Sequence, residues 1–357
     1  MNLRSPALAL CTAAAVAVSG CGRAVERVFE VSSDGASRTG VALTPRGLLL
    51  GNEAGVLMLV SPEGQIRWKA HLGREIASRP LAVGGTAVAV TVSGDWVGVD
   101  LETGAGRWRV PDQPPVTAPL ATDGARVLAV TRAGSVRAAD PATGELLWFR
   151  TPPPGAERAS RTFSAPVVQQ GTAVYALEDA GVLAVATEGG ALQWRVPLQG
   201  AAAVLGDGAS EGQLFAIGRE GTLLSLSRDG EVRWRRELRS AFSGAAALVP
   251  GGIAVALEGR IALLDRSRGD ELWSAPVEAP AGPACWAAGL LLVPTSGLDG
   301  ALLAFALPSQ KPYARIRLDS PLRAAPRVLE NGVVAVPASD GRLIGLRLHP
   351  PERLRPE

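Results

Sequence analysis

Short, nearly continuous apolar runs recur along the chain, separated by turns carrying Gly, Asp or Asn. Residues 117–150 show one full unit. Thr117-Ala-Pro-Leu120 is a run of small residues, and Asp123-Gly124 turns the chain. Arg126 to Thr131 is the second apolar run, Ala133-Gly134 the next turn, and Ser135 to Ala139 the third run. Pro141-Ala-Thr-Gly144 then leads to a fourth strand that begins near Leu146 and carries Trp148. Four short strands joined by such turns predict an antiparallel meander. No stretch holds a 3.6-residue apolar period, so helices are not expected. The second strands, such as Ala87-Val-Ala-Val-Thr-Val92 and Gly252-Ile-Ala-Val-Ala-Leu257, are nearly continuously apolar, as sheets packed on both faces require.

The unit repeats. Asp140-Pro-Ala-Thr-Gly-Glu-Leu-Leu-Trp148 matches Asp100-Leu-Glu-Thr-Gly-Ala-Gly-Arg-Trp108, and Asp265, Gly269 and Trp273 keep the same register. Gly64/Trp68, Gly190/Trp194 and Gly230/Trp234 hold the glycine four residues before the tryptophan. The steps between the tryptophans that follow these glycines (Trp68, Trp108, Trp148, Trp194, Trp234 and Trp273) are 40, 40, 46, 40 and 39 residues. A period near 40 with four strands per unit predicts the blades of a β-propeller. Each tryptophan then stands on an outer strand and packs one blade on its neighbour. Phe29, within a strand over residues 25–31, lies 39 residues ahead of Trp68, where a blade aromatic belongs. Tyr313 loosely marks the seventh outer strand. The last inner strands (residues 323–327, 332–337 and 342–348) have no outer strand of their own, because His349-Pro-Pro351 interrupts the chain. The N-terminal strand can complete them and remove an open edge. The expected fold is all-β: an eight-bladed β-propeller of four-stranded antiparallel blades, closed by the N-terminal strand. Small, proline-marked triplets (Ser78-Arg-Pro80, Thr117-Ala-Pro119, Ser164-Ala-Pro166, Ala324-Ala-Pro326) are read as innermost strands, where Pro is acceptable on an edge.

Composition fits one turn-rich domain over residues 25–357, with 47% hydrophobic residues, 42 Gly and 27 Pro. Residues 1–20 read as a signal peptide: Arg4 precedes an apolar segment from Pro6 to Val18 that is too short to span a bilayer. It ends in Val18-Ser-Gly-Cys21, which resembles the lipobox of bacterial lipoproteins. That resemblance implies lipidation of Cys21, a tether over residues 21–24 and, with Gly22 following, transport to the outer membrane. An ordinary secretory signal is the alternative. Cys11 would leave with the signal and Cys21 would be acylated, so Cys285 has no disulfide partner. Net charge is +2, from 36 basic and 34 acidic residues without a basic run, so no nucleic-acid partner is expected. His71 and His349 stand far apart, and no metal-spaced cluster or nucleophile motif occurs. We therefore expect no catalytic residue, no metal and no cofactor. Asp100, Asp140 and Asp265 have a sufficient purpose in capping turns.

The Asp-x-x-Thr-Gly-x-x-x-Trp copies resemble the repeat of pyrroloquinoline-quinone-enzyme-type propellers. With the lipobox and eight blades, the mature chain is similar to the BamB family, lipoproteins of the outer-membrane β-barrel assembly machinery. The resemblance implies a non-catalytic, lipid-anchored scaffold on the periplasmic face of the outer membrane. Its partner would be a barrel assembly protein or another envelope protein. In the family a loop after the third blade carries an arginine flanked by leucines that engages the partner. Here Arg161 falls on that arginine, while Arg158 and Ser160 hold the leucine positions. A later acidic pair falls near Ala241 and Ser243, neither of them acidic. The 46-residue step is an insertion over residues 151–162, stiffened by three prolines, and Arg158 and Arg161 within it are the expected partner contacts. A propeller that binds a ligand or polysaccharide is a second reading. A quinoprotein dehydrogenase is a third, although the adjacent-cysteine pair of those enzymes is missing.

Overall fold

The computed structural model describes residues 24–351 except 112, 117, 155–163, 207–211 and 298. Its strands form eight four-stranded antiparallel sheets, the blades of a propeller. Blades 1 to 7 are simple meanders over residues 41–71, 81–110, 121–150, 167–196, 201–237, 242–276 and 285–317. Blade 8 joins Arg327–Val328, Val334–Pro337 and Arg342–Leu348 to the strand Val25–Ser32. Val25 lies opposite Leu348 and Ser32 opposite Arg342, so the two ends of the chain close the ring. The edge that the last blade would otherwise leave open is thereby paired.

The apolar runs go where their pattern sends them. Second and third strands, such as Gly47–Gly51 and Val56–Val60 in blade 1, are buried along their whole length, because both faces meet neighbouring blades. Outer strands such as Val232–Glu237 are largely exposed. The core is consequently divided into eight clusters of buried side chains, each shared by two adjacent blades. Blade 8 shares one with blade 7 through Leu302 and Ile344 and another with blade 1 through Leu343 and Met58. Each fully buried Leu, Met or Phe in such a cluster contributes about 1.5–3 kcal/mol. The strand Val25–Ser32 supplies Val31 to this last cluster, so it seals a core as well as a hydrogen-bond ladder.

Two details depart from or refine the sequence reading. The proline-marked triplets precede the innermost strands rather than form them: these begin at Leu81, Ala121, Val167 and Arg327. Proline has no N–H for the ladder, so pairing starts after it. The triplets Ser78-Arg-Pro80 and Ala324-Ala-Pro326 instead line a cavity near the propeller axis. The second detail is a β-bulge that recurs in the outer strands. Register shifts by one residue just before the aromatic, for example where Ala139 pairs with Leu146 but Ala138 with Trp148. The same shift precedes Trp68, Trp108, Trp194, Trp234, Trp273 and Phe29. A bulge adds local twist and re-aims the side chain, here toward the next blade.

In a four-stranded meander the outer strand ends where the next blade's innermost strand begins. One end of the propeller therefore carries the blade-to-blade connections and the turns between second and third strands. The Asp-x-x-Thr-Gly turns lie at the other end.

Candidate functional site

The recurring Asp-x-x-Thr-Gly-x-x-x-Trp motif serves the joint between blades. In its turn, Asp140 Oδ1 accepts hydrogen bonds from the N–H groups of Ala142 at 2.7 Å and Thr143 at 2.9 Å. Asp100 does the same for Glu102 and Thr103 and also takes Arg107 Nη2 at 2.6 Å. The Arg107 bond, followed by those from Thr103, holds the Asp100 carboxyl down at about 2. The turn so shaped receives the preceding blade: Trp108 Nε1 donates to Pro141 O at 3.1 Å. Gly144 follows with φ +76°, and a Cβ there would stand 2.5 Å from the Trp108 ring. Glycine thus supplies both the left-handed backbone and the flat seat.

The same indole bond runs from Trp68 to Leu101 O (3.0 Å), Trp148 to Thr187 O (2.9 Å) and Trp194 to Arg228 O (2.9 Å). It recurs from Trp234 to Arg266 O (3.2 Å) and from Trp273 to Pro308 O (3.1 Å). At the seventh joint Tyr313 Oη donates to His349 O at 3.2 Å. At the eighth Phe29, which has no donor, packs its ring on Gly64, where a Cβ would come within 2.4 Å. Each glycine therefore seats the aromatic of the blade before it, not that of its own strand.

The groups considered for chemistry have ordinary surroundings. His71 is exposed, and His349 Nε2 lies 3.8 Å from Glu26 on the surface. Among the described residues no group of three or more His, Cys, Asp or Glu could hold a metal ion. Burial pushes the Cys285 thiol up to about 12 against the opposing pull of Arg327, the reverse of what a nucleophile needs. Among the described residues no helix is long and apolar enough to cross a membrane.

Cys21, Arg158 and Arg161 lie outside the described residues. The strand that leads into the 151–162 insertion does not. On Leu146–Arg150, Leu147 is 49% and Phe149 56% exposed, on either side of the docked Trp148. The equivalent positions are Arg67 and Lys69, Arg107 and Arg109, Gln193 and Arg195, and Arg233 and Arg235 in four other blades. Those carry charge or amide, while blade 6 has the exposed Leu272 with Ser274 and blade 8 has Val28 with Glu30; among these blades, blade 3 alone places large apolar side chains on both sides of its aromatic. Leu146 is exposed as well, but so are its counterparts Ile66, Leu192 and Val232, so the departure rests on Leu147 and Phe149. Comparing the repeat copies position by position would have exposed this difference, which reading them as equivalent conceals.

Around the ring from this strip, a groove of about 510 Å³ opens between blades 4 and 5, lined by Glu178, Asp179, Arg195, Arg219 and Glu220. Arg219 Nε pairs with Glu178 Oε1 across it at 2.9 Å. The groove lies at the end that carries the blade-to-blade connections. Ala241 and Ser243 are exposed where blade 5 passes to blade 6, at the same end and without acidic character. An exposed apolar strand edge suits contact with another protein, as an apolar anchor with polar neighbours.

Known proteins fall in line with this geometry. No sequence among the curated proteins matches the chain. Among solved structures it is similar to BamB from Moraxella catarrhalis, with a TM-score of 0.75 at 18% identity over 91% of this chain and all of that one. Quinohemoprotein alcohol dehydrogenase ADHIIG from Pseudomonas putida HK5 matches with a TM-score of 0.75 at 12% identity, over 93% of this chain and 78% of that one. Sqt1 from Saccharomyces cerevisiae matches at 0.73 and 13% identity, over 91% and 99% of the two chains. At such identities these likenesses establish the fold. The model of the family described as outer membrane protein assembly factor BamB matches residues 22–187, 178–257 and 257–349. The chain belongs to the BamB family of outer membrane protein assembly factors.

Proposed function

We propose that the protein is a non-catalytic scaffold, anchored by a lipid on Cys21 at the periplasmic face of the outer membrane, which binds a barrel assembly protein or another envelope protein. The observation that carries this reading is the contrast on blade 3. The motif residues are spent on turns and blade joints, whereas Leu147 and Phe149 stand exposed beside them. An outer strand at the edge of its sheet also offers backbone groups to a partner strand, so apolar contact and edge pairing can act together. The 151–162 insertion follows directly, and Arg158 and Arg161 within it supply the guanidinium groups favoured at interface hot spots. Membership of the BamB family supports the assembly role.

The test is purification of the full-length, lipidated chain from its native membranes and identification of what accompanies it. A barrel assembly protein should be recovered, and recovery should fall when Arg158 and Arg161 are both replaced by Ala. Undiminished recovery from that variant would move the contact off the insertion. Absence of any envelope protein, or a quinone absorbing in the purified chain, would overturn the scaffold reading itself.

A further inference from the structure

Near the axis the innermost segments enclose a cavity of about 610 Å³, built from the lead-in stretches of blades 1, 2, 7 and 8 with blade 6 opposite. Four arginines line it, Arg38, Arg79, Arg323 and Arg327, and no Asp or Glu does. Arg38 is engaged elsewhere, paired with Glu53 at 2.8 Å. Arg79 makes no side-chain hydrogen bond or ion pair with any described residue, and Arg327 gives one hydrogen bond, from Nε to Val41 O at 3.2 Å. Other partly buried arginines are served differently: Arg126 meets Asp123 at 2.9 Å and Arg342 meets Asp340 at 2.7 Å. Burial, and then Arg327, lowers the Arg79 guanidinium to about 10, and burial lowers that of Arg327. Two like charges, close enough for one to act on the other, thus line one cavity with no carboxylate in its wall, an arrangement that costs stability unless something supplies the counter-charge.

A neutral donor waits in the same wall. Ser78, next to Arg79, is only 3% exposed, and its hydroxyl has no hydrogen-bond partner. A buried polar group left unpaired calls for an explanation, and a ligand is one. The backbone also makes room: at Gly40 a Cβ would lie 3.1 Å from Ala324 Cβ and 3.9 Å from Arg79 Cδ. The remaining walls are mostly small and apolar, with Trp286 the one large ring.

We infer that this cavity binds a small polyanion, its carboxylate or phosphate oxygens held between Arg79 and Arg327 with Ser78 donating a further hydrogen bond. Guanidinium groups match both oxyanions in bidentate geometry, and two of them call for a ligand with at least two negative charges. Free phosphate or pyrophosphate and an organic polycarboxylate share this chemistry. The inference does not rest on the scaffold reading, since the cavity and the blade 3 strip share no residue.

The experiment titrates the intact mature chain with pyrophosphate and, separately, with citrate, following heat of binding and melting temperature. Binding of either supports the site, and the one that binds tells phosphate from carboxylate chemistry. Arg79→Gln should weaken that binding by about 10- to 100-fold, as loss of a charge-assisted hydrogen bond does. Without ligand the variant should melt no lower than the parent, because it removes an unbalanced buried charge. Arg235→Gln, on the exposed outer strand of blade 5, should bind as the parent does. No binding of either probe, or binding that Arg79→Gln leaves intact or Arg235→Gln weakens equally, would overturn the inference.

Discussion

Blade 3 holds two regions a few residues apart that behave differently. In the turn 140–144 every feature has a recipient: Asp140 caps the backbone, Pro141 O takes the Trp108 indole, and Gly144 seats its ring. Two residues later the outer strand exposes Leu146, Leu147 and Phe149. The turn repeats from blade to blade; Leu147 and Phe149 break the basic and polar pattern of the blades around them. In a repeat protein, what recurs holds neighbours together, and what deviates is free to serve something outside the ring. The axial arginines follow the same rule, since Arg79 stands where the other three proline-marked triplets carry Ala, and Arg327 follows the last of them.

The sharpest way to break the recurring half of this contrast is to open the ring. Deleting residues 25–32 removes the strand paired with Arg342–Leu348, Val31 from the shared core and the Phe29 seat on Gly64. Cooperative unfolding should be lost or the melting midpoint should fall by many degrees, as calorimetry would record. A deletion variant that melts like the parent would show that the closure strand is dispensable.

A smaller loss is expected at a single joint. Trp148→Ala forfeits the bond to Thr187 O and the contact with Gly190, and should cost about 2–4 kcal/mol in denaturant unfolding, somewhat below a fully buried aromatic because the ring is half-buried. A change below about 0.5 kcal/mol, the range of ordinary surface substitutions, would mean that the joints do not bear on stability.

Asp100 gives a weaker but pH-coded signal. Its carboxyl is held near 2 by Arg107 and Thr103, below the unfolded value of about 3.9. Its stabilising bonds are therefore complete above about pH 4 and are lost as pH falls toward 2. The stability gap between the parent and Asp100→Asn should narrow over that window in acid titration of unfolding. A gap constant from pH 6 to pH 2 would assign the effect to packing.

Much of this was legible in the chain itself. The tryptophan spacing and the Asp and Gly ahead of it carried the blades, their number and the closure by the segment with Phe29, because one period ran through them. Where the innermost strands begin is not legible at Pro80, Pro119, Pro166 and Pro326: apolar smallness reads as strand, but the missing N–H delays pairing until one or two residues after the proline. The partner of each glycine was hidden for another reason. Gly144 is close in sequence to Trp148 yet seats Trp108, a contact fixed by how blades abut. Arg79 and Arg327 could not be brought together by reading, since only ring closure makes blades 2 and 8 face one cavity.

Least perturbing to the fold, and most decisive for function, is a change on the exposed strip. Leu147→Asp with Phe149→Asp should shift stability by no more than about 0.5 kcal/mol, the range for surface positions. The direct measurement is photocrosslinking in native membranes, with a photoreactive phenylalanine analogue at position 149 and, as the paired control, at position 142 in the recurring turn. Both positions are exposed, but they belong to the two halves of the contrast. A defined adduct with an envelope protein is expected from position 149 and none from position 142. No adduct from position 149, or the same adduct from both, would contradict that contrast.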